Sequence, residues 1–238
     1  MKKSDFDLMI SSIKINNPGI NENIVNAFRI CDRKFFVSEN IYDDEPQHIS
    51  HGQTISQPST IARMISILRL KEGQDVLEIG ANTSYHASLV AYIIWPGKVT
   101  TIEIFSDLAE MAKKNLKNLM KFLKNKNKDD AKKFSNVEIV NGDAFDEKNK
   151  IWKNKYDRIY FTAGVEGRHR QDVKKMALKL LKEDGLILYP TREVLDYGSL
   201  ELLQYKNNKL ELIRRENGYA FVPLIRQQEL KELYKNKL

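Results

Sequence analysis

The 238 residues predict an α/β protein: a doubly wound, mostly parallel sheet with an antiparallel end and an N-terminal helical extension. Three observations carry that prediction. Val76-Leu77-Glu78-Ile79 is an apolar run closed by Gly80 and a loop of small residues, and His86 to Tyr92 then reads as a helix. A second strand, Val99 to Ile104, follows roughly twenty residues on and carries Glu103 near its end. Strands and helices then alternate until Tyr189, after which strand follows strand.

Taken in order, the chain first reads as helical from about Phe6 to Phe36. Ile24, Val25, Phe28 and Ile30 form an apolar stripe there, and Asn21-Glu22-Asn23 supplies a helix start. A polar loop, Tyr42 to Pro46, leads into His51-Gly52-Gln53-Thr54-Ile55-Ser56-Gln57-Pro58-Ser59, which Gly52 and Pro58 keep from being regular throughout. A helix is expected from Thr60 to Leu70 and another from Leu108 to Leu123, the latter with Leu108, Met111, Ala112, Leu116 and Leu119 on one face. Val137 to Val140 and Tyr156 to Phe161 read as further strands, Asp172 to Leu181 as a helix, and Leu186 to Tyr189 as a fifth strand. Leu200 to Tyr205, Leu210 to Arg214 and Ala220 to Leu224 are expected as antiparallel strands at the sheet's end.

The first strand, turn and helix make a place where a ligand can sit. A helix start points free N–H groups and a partial positive charge at the crevice, and small residues let a ligand approach the backbone. An acid at the end of the second strand, Glu103, can accept hydrogen bonds from a ribose diol. Only Gly80 of the three glycines of a dinucleotide fingerprint is present.

Composition excludes several classes. Nothing resembles a secretory signal behind Met1-Lys2-Lys3, and no apolar run has the length of a membrane span. The single cysteine, Cys31, forms no internal disulfide and reads as a small packing residue, which fits a reducing cytoplasm. His48 and His51 lack the company that a zinc site needs, so no metal is expected. The net charge is +7, with lysines crowded between Lys113 and Lys133. Runs such as Lys124-Asn125-Lys126-Asn127-Lys128 read as solvated surface, because only Phe122 and Phe134 supply the aromatics a single-strand nucleic-acid site interleaves with charge.

Arg33-Lys34-Phe35-Phe36-Val37, then Gly52-Gln53-Thr54-Ile55-Ser56-Gln57-Pro58, then Val76 to Gly80 resembles the protein-L-isoaspartate O-methyltransferase family in arrangement. The Gly-Gln-Thr-Ile-Ser-x-Pro string is distinctive of that family. Asn141-Gly142-Asp143-Ala144, Leu181 to Pro190 and Phe221-Val222-Pro223-Leu224 resemble its later segments, so the likeness runs from about Val25 to Leu224. It implies a Rossmann-like methyltransferase fold in a single domain: 1–59 as a helical, substrate-side extension, 60–190 as the cofactor-binding core and 191–238 as antiparallel strands and tail.

The resemblance also implies S-adenosylmethionine as cofactor, isoaspartyl-containing peptides and proteins as partners, a monomer, a cytoplasmic setting and no membrane. By the same likeness Ser56 is the active-site hydroxyl, the alternative being a helix cap ahead of Pro58. Glu78, Gly80, Ala81, Asn82 and Ser84 would flank the cofactor's amino acid moiety, Glu103 with Ile104 its ribose, and Gly142, Asp143 and Ala144 its adenine side. Gln53, Thr54 and Ile55 would also meet the cofactor, and Thr54, Ser56, Ser59, Thr162, Ala163 and Val222 the substrate. Tyr85 and His86 read equally as packing residues.

Three departures stand out. The family's loop is usually Gly-x-Gly-Ser/Thr-Gly, whereas Asn82 and Ser84 occupy the second and third glycine positions. The turn after Thr162-Ala163-Gly164 is longer and carries Arg168, His169 and Arg170, which read as an exposed basic loop or as an anion recognition site. A glutamine frequent in the family is replaced within Ser199-Leu200-Glu201, where a polar contact is expected to be missing. The leading expectation is methyl transfer to L-isoaspartyl carboxylates. The alternatives are a related peptide- or RNA-directed methyltransferase, or a degenerate homologue acting as a binding module.

Overall fold

The computed structural model describes residues 4–193 and 197–235. Two helices open the chain: α1 (Asp5–Asn16), started by a capping box between Ser4 and Asp7, and α2 (Glu22–Ile30), capped by Asn21. The helical reading over residues 6–36 resolves into two helices, the second starting at the expected Asn21. Asn17 caps α1, Pro18 and Gly19 (φ 75°) turn the chain, and a short 3-10 turn at Arg33–Phe35 ends the segment.

A small hairpin follows, β1 (Gln47–His48) against β2 (Thr54–Ile55). Next come α3 (Pro58–Leu68), with proline in its first turn, then β3 (Asp75–Ile79), α4 (Tyr85–Ile94) and β4 (Lys98–Glu103). Helix α5 (Ser106–Lys126) leads to the short α6 (Lys128–Lys132), β5 (Val137–Asn141), β6 (Tyr156–Phe161) and α7 (Arg170–Leu180). The chain closes with β7 (Leu181–Pro190), β8 (Tyr197–Lys206), β9 (Lys209–Ala220) and α8 (Gln227–Lys235).

Seven strands form one sheet in the order β5-β4-β3-β6-β7-β8-β9, parallel from β5 to β7 and antiparallel beyond. Strand alternation divides the apolar residues between two clusters. Val76 and Tyr160 join the cluster built by α1 to α5, while Leu77, Ile79, Ile159 and Phe161 join the α7 side. Each fully buried Leu, Ile or Phe contributes roughly 1.5–3 kcal/mol, so the sheet sandwiched between helices dominates stability. Cys31 is buried in the first cluster as a free thiol.

Strand order reverses between β3 and β6. Ligands of open α/β sheets bind at such a point, beyond the carboxyl ends of the strands.

The antiparallel end differs from expectation. Three strands were expected over 200–224; two form, joined by a tight turn at Asn207 and Asn208, both at positive φ. The gap expected between Arg214 and Ala220 is bridged by a bulge, with Gly218 at φ 91° and the register shifting between Gly198 and Ser199, so β9 runs through to Ala220. The segment after it, Phe221 to Leu224, leaves the hairpin and crosses to Gly164, whose N–H donates to the Val222 carbonyl at 2.7 Å and whose carbonyl accepts from Leu224 N at 2.9 Å.

Candidate active site

Gly80 ends β3 at φ 98°, a conformation that side chains avoid, and a Cβ there would stand 2.2 Å from Thr162 Oγ1. Thr162 at the end of β6 donates from that hydroxyl to the Gly80 carbonyl at 2.8 Å, tying the two strand ends together. The loop then turns through Asn82 (φ 48°) and Ser84 (φ 70°). Both residues at the family's glycine positions thus adopt the left-handed conformation that glycine would accept without strain. Asn tolerates it, whereas Ser84 does so at a cost. Ser84 N donates to Ala81 O at 2.7 Å, and the Ser84 carbonyl accepts from Ser88 Oγ, so α4 starts with the loop pinned.

Glu103 organises the opposite wall. It is 4 % exposed, and its carboxylate accepts from Asn82 N at 2.9 Å and Phe105 N at 3.1 Å. Burial raises its pKa against the pull of those amides. Asn141 fixes the same corner by donating its side-chain amide to the Glu103 carbonyl at 2.8 Å. Asp143 accepts from Phe145 N at 2.8 Å through one oxygen and from Gln227 N at 2.9 Å through the other.

One cavity joins these elements. Among the residues expected at the cofactor, Gln53, Gly80, Asn82, Glu103, Ile104, Gly142, Asp143 and Ala144 line it, and so do Thr162 and Ala163 of the expected substrate set. The others lie around it. Glu78 is fully buried on the α4 side, accepting from Thr101 Oγ1 at 2.5 Å and Tyr160 OH at 2.7 Å. Burial raises its pKa to about 8, so the carboxyl is mostly neutral at pH 7. Ala81 and Ser84 are buried behind the loop.

Thr54 and Ile55 form β2, with Ile55 turned into the core. Ser56 follows, half-buried, and its hydroxyl has no hydrogen-bond partner among the described residues. It is not the helix cap, since Gln57 holds that position without a side-chain bond. Ser59 is buried in the first turn of α3, its hydroxyl accepting from Gln57 Nε2 and its N–H donating to Asp44. Val222 is half-buried beside Gly164.

The turn is exposed at Arg168, but its basic side chains are each paired with an acid. Arg168 pairs with Glu166 and Glu229, Arg170 with Glu193, and His169 is buried against Glu229. Glu201 does not lack polar contacts either: it accepts from Tyr189 OH at 2.9 Å and from Arg215.

Several lining residues escaped sequence reasoning. Phe105 and Phe145 follow directly on Ile104 and Ala144, and an apolar residue next to each strand-end acid was the available signal. Pro223, Leu224 and Ile225 reach the cavity from the far end of the chain, next to Val222, which was expected at the substrate.

The residues present fit a nucleoside-bearing cofactor. Glu103 keeps carboxylate lone pairs beyond its two backbone bonds, as a diol requires, and Phe105, Phe145, Ile102 and Leu224 supply apolar walls for a flat ring. Fold and cavity together define the class: a Rossmann-like α/β protein with a crevice for a nucleoside-bearing ligand. Residues 6–229 match the family model for protein-L-isoaspartate(D-aspartate) O-methyltransferase, and the chain belongs to that family.

Relatives named protein-L-isoaspartate O-methyltransferase include one from Methanothrix thermoacetophila, 31% identical over 90% of this chain and 93% of its own. Another, from Methanopyrus kandleri, is 36% identical over 88% of this chain and 86% of its own. Among solved structures, a Plasmodium falciparum protein assigned to the same enzyme and bound to S-adenosyl-L-homocysteine has a TM-score of 0.74 at 22% identity, covering 94% of this chain and 99% of its own. At that identity the structural likeness speaks for the fold.

Proposed function

We propose that this chain transfers a methyl group from S-adenosylmethionine to the free carboxylate of L-isoaspartyl residues in damaged proteins and peptides. The observation that carries the reading is Glu103, a buried carboxylate held by two backbone amides at the strand-order reversal, in a chain of this family.

The cofactor supplies a methyl carbon made electrophilic by its sulfonium. The acceptor carboxylate is ionised at neutral pH, since such groups titrate near 4, so the chain needs no strong general base. Its task is alignment and exclusion of water. Gly80 keeps the loop thin enough for close approach, Glu103 holds the diol, and the apolar residues of the C-terminal segment shut one side. Ser56, with its hydroxyl unpartnered next to β2, is the donor that would orient the acceptor carboxylate.

Thr54, Ser59, Thr162, Ala163 and Val222 complete the acceptor side in this reading. Of the other cofactor assignments, Gln53, Asn82, Ile104, Gly142, Asp143 and Ala144 line the cavity and stand with it, whereas the side chains of Ile55, Glu78, Ala81 and Ser84 are buried and are not among its lining. Action as a monomer belongs to the same reading. A cytoplasmic setting accords with the free thiol of Cys31. No helix among the described residues is long and apolar enough to cross a membrane. The pairing of Arg168 and Arg170 with glutamates leaves a nucleic-acid acceptor without support at that turn.

The test follows S-adenosylhomocysteine release from purified chain, cofactor and an isoaspartyl peptide. Release that rises in proportion to that peptide supports the reading. Release at the peptide-free background, in protein that binds the cofactor, removes it.

A further inference from the structure

Both edges of the sheet are strands, and they differ. β9 is guarded as exposed edges usually are: it carries Lys209, Glu211, Arg214 and Arg215, is mostly exposed, and is bent by a bulge at Gly218. β5 is less guarded, with Glu138 its single charged residue. Its sequence is Val-Glu-Ile-Val-Asn, with no lysine, proline or register shift.

The register shows which backbone groups of β5 are unpaired. Val99 N donates to the Asn136 carbonyl, and Gly142 N donates to the Glu103 carbonyl. Residues 136, 138, 140 and 142 therefore turn their backbone toward β4, and Ile139 and Asn141 turn theirs outward. Beside that edge runs a groove of about 650 Å³, floored by Val137, Ile139, Leu116 and Met120 and rimmed by lysines of α5. Lys114, Lys117, Lys121 and Lys124 recur at helical spacing, are exposed, and form no ion pair among the described residues. Glu138 does not neutralise them. It points to the opposite face, where Lys98 and Lys150 engage it.

We propose that the β5 edge and the lysine face of α5 form a docking groove for an extended, acidic segment of another protein. Such a segment would add as an eighth strand roughly 4.8 Å beyond β5, exchanging backbone hydrogen bonds with Ile139 and Asn141. Every second side chain would then face α5, where carboxylates meet lysines and small apolar groups meet Val137 and Ile139. Charge selects the partner: four unpaired lysines favour an anionic segment and repel a second copy of this chain, whose net charge is +7. A nucleic acid is less well served. Phe134 is fully buried and Phe122 is covered by Lys34 and Lys126, so no ring is open for base stacking.

The probe is a short fluorescent peptide of alternating glutamate and valine, titrated against the full chain. A twin N-methylated at alternate residues cannot pair with a strand edge. The unmodified peptide is expected to saturate, to weaken with salt, and to protect the Ile139 and Asn141 amides from hydrogen exchange. The N-methylated twin should bind about tenfold more weakly, and so should the unmodified peptide to Lys117→Glu/Lys121→Glu, a variant whose methyl transfer to a small acceptor is unchanged. Equal binding of both peptides, no saturable binding, or tighter binding of a single-stranded oligouridylate through the same lysines would each overturn the proposal.

Discussion

Gly80 and Ser84 sit five residues or fewer from one another in a loop where backbone conformation and chemistry meet, yet they answer substitution in opposite ways. Gly80→Ala places a methyl 2.2 Å from Thr162 Oγ1 at φ 98°. The loss expected in denaturant melts is about 1–3 kcal/mol, with weaker S-adenosylhomocysteine binding by titration calorimetry. Ser84 already occupies the left-handed region at φ 70°, so Ser84→Gly relieves strain. It should stabilise the chain by about 0.5–1 kcal/mol in the same melts. Under the proposed function, Glu103→Gln removes the charge that would receive the diol while keeping the side chain's size. Cofactor affinity should fall by about tenfold or more, with the fold retained by circular dichroism.

At the scale of elements, the C-terminal segment is what closes the cavity. Arg226 lies 4.5 Å from the centre of the Phe145 ring and bridges Asp143 at 3.3 Å and Asp172 at 2.5 Å. It thereby fastens Pro223 to Ile225 over the cavity. Arg226→Met keeps the stem and removes the bridge. S-adenosylhomocysteine should then dissociate about tenfold faster in stopped-flow displacement, while the Glu103 contacts stay in place.

This element was also the least legible in the sequence. The β3 loop and Glu103 could be read because an apolar run, a glycine and a strand-end acid all lie within one local unit. Phe221 to Leu224 read as one more strand, because apolar residues in a short run look alike whether they join a sheet edge or cross over its end. The contact between Asp143 and Arg226 spans two segments far apart in the chain, and no periodicity announces such a pair. No strand was expected between Arg214 and Ala220, yet the ladder on both sides keeps the strand whole through the bulge at Gly218.

For the whole molecule, two buried groups set opposite pH limits on stability. Glu78 has a folded pKa of about 8 against an ordinary value of 4.5, so the native state holds a proton there that the unfolded chain releases. Its contribution is complete below about 4.5 and is lost as pH rises through 8. His86, buried against Tyr160, has a folded pKa of about 3 against 6.5. The unfolded chain takes up that proton first, so stability falls as pH drops from about 6.5 toward 3. Melting temperatures across pH should therefore decline at both ends. Glu78→Gln should flatten the alkaline decline and leave the acid one.

The central claim concerns the acceptor, and a competition measures it most directly. Two peptides of identical sequence, one isoaspartyl and one aspartyl, are mixed at equal, subsaturating concentration with labelled S-adenosylmethionine, using the chain and its Ser56→Ala variant. The account predicts label on the isoaspartyl peptide alone, and a marked loss of that label in the variant with cofactor binding unchanged. Equal labelling of both peptides, or cofactor binding with no transfer to either, would contradict it.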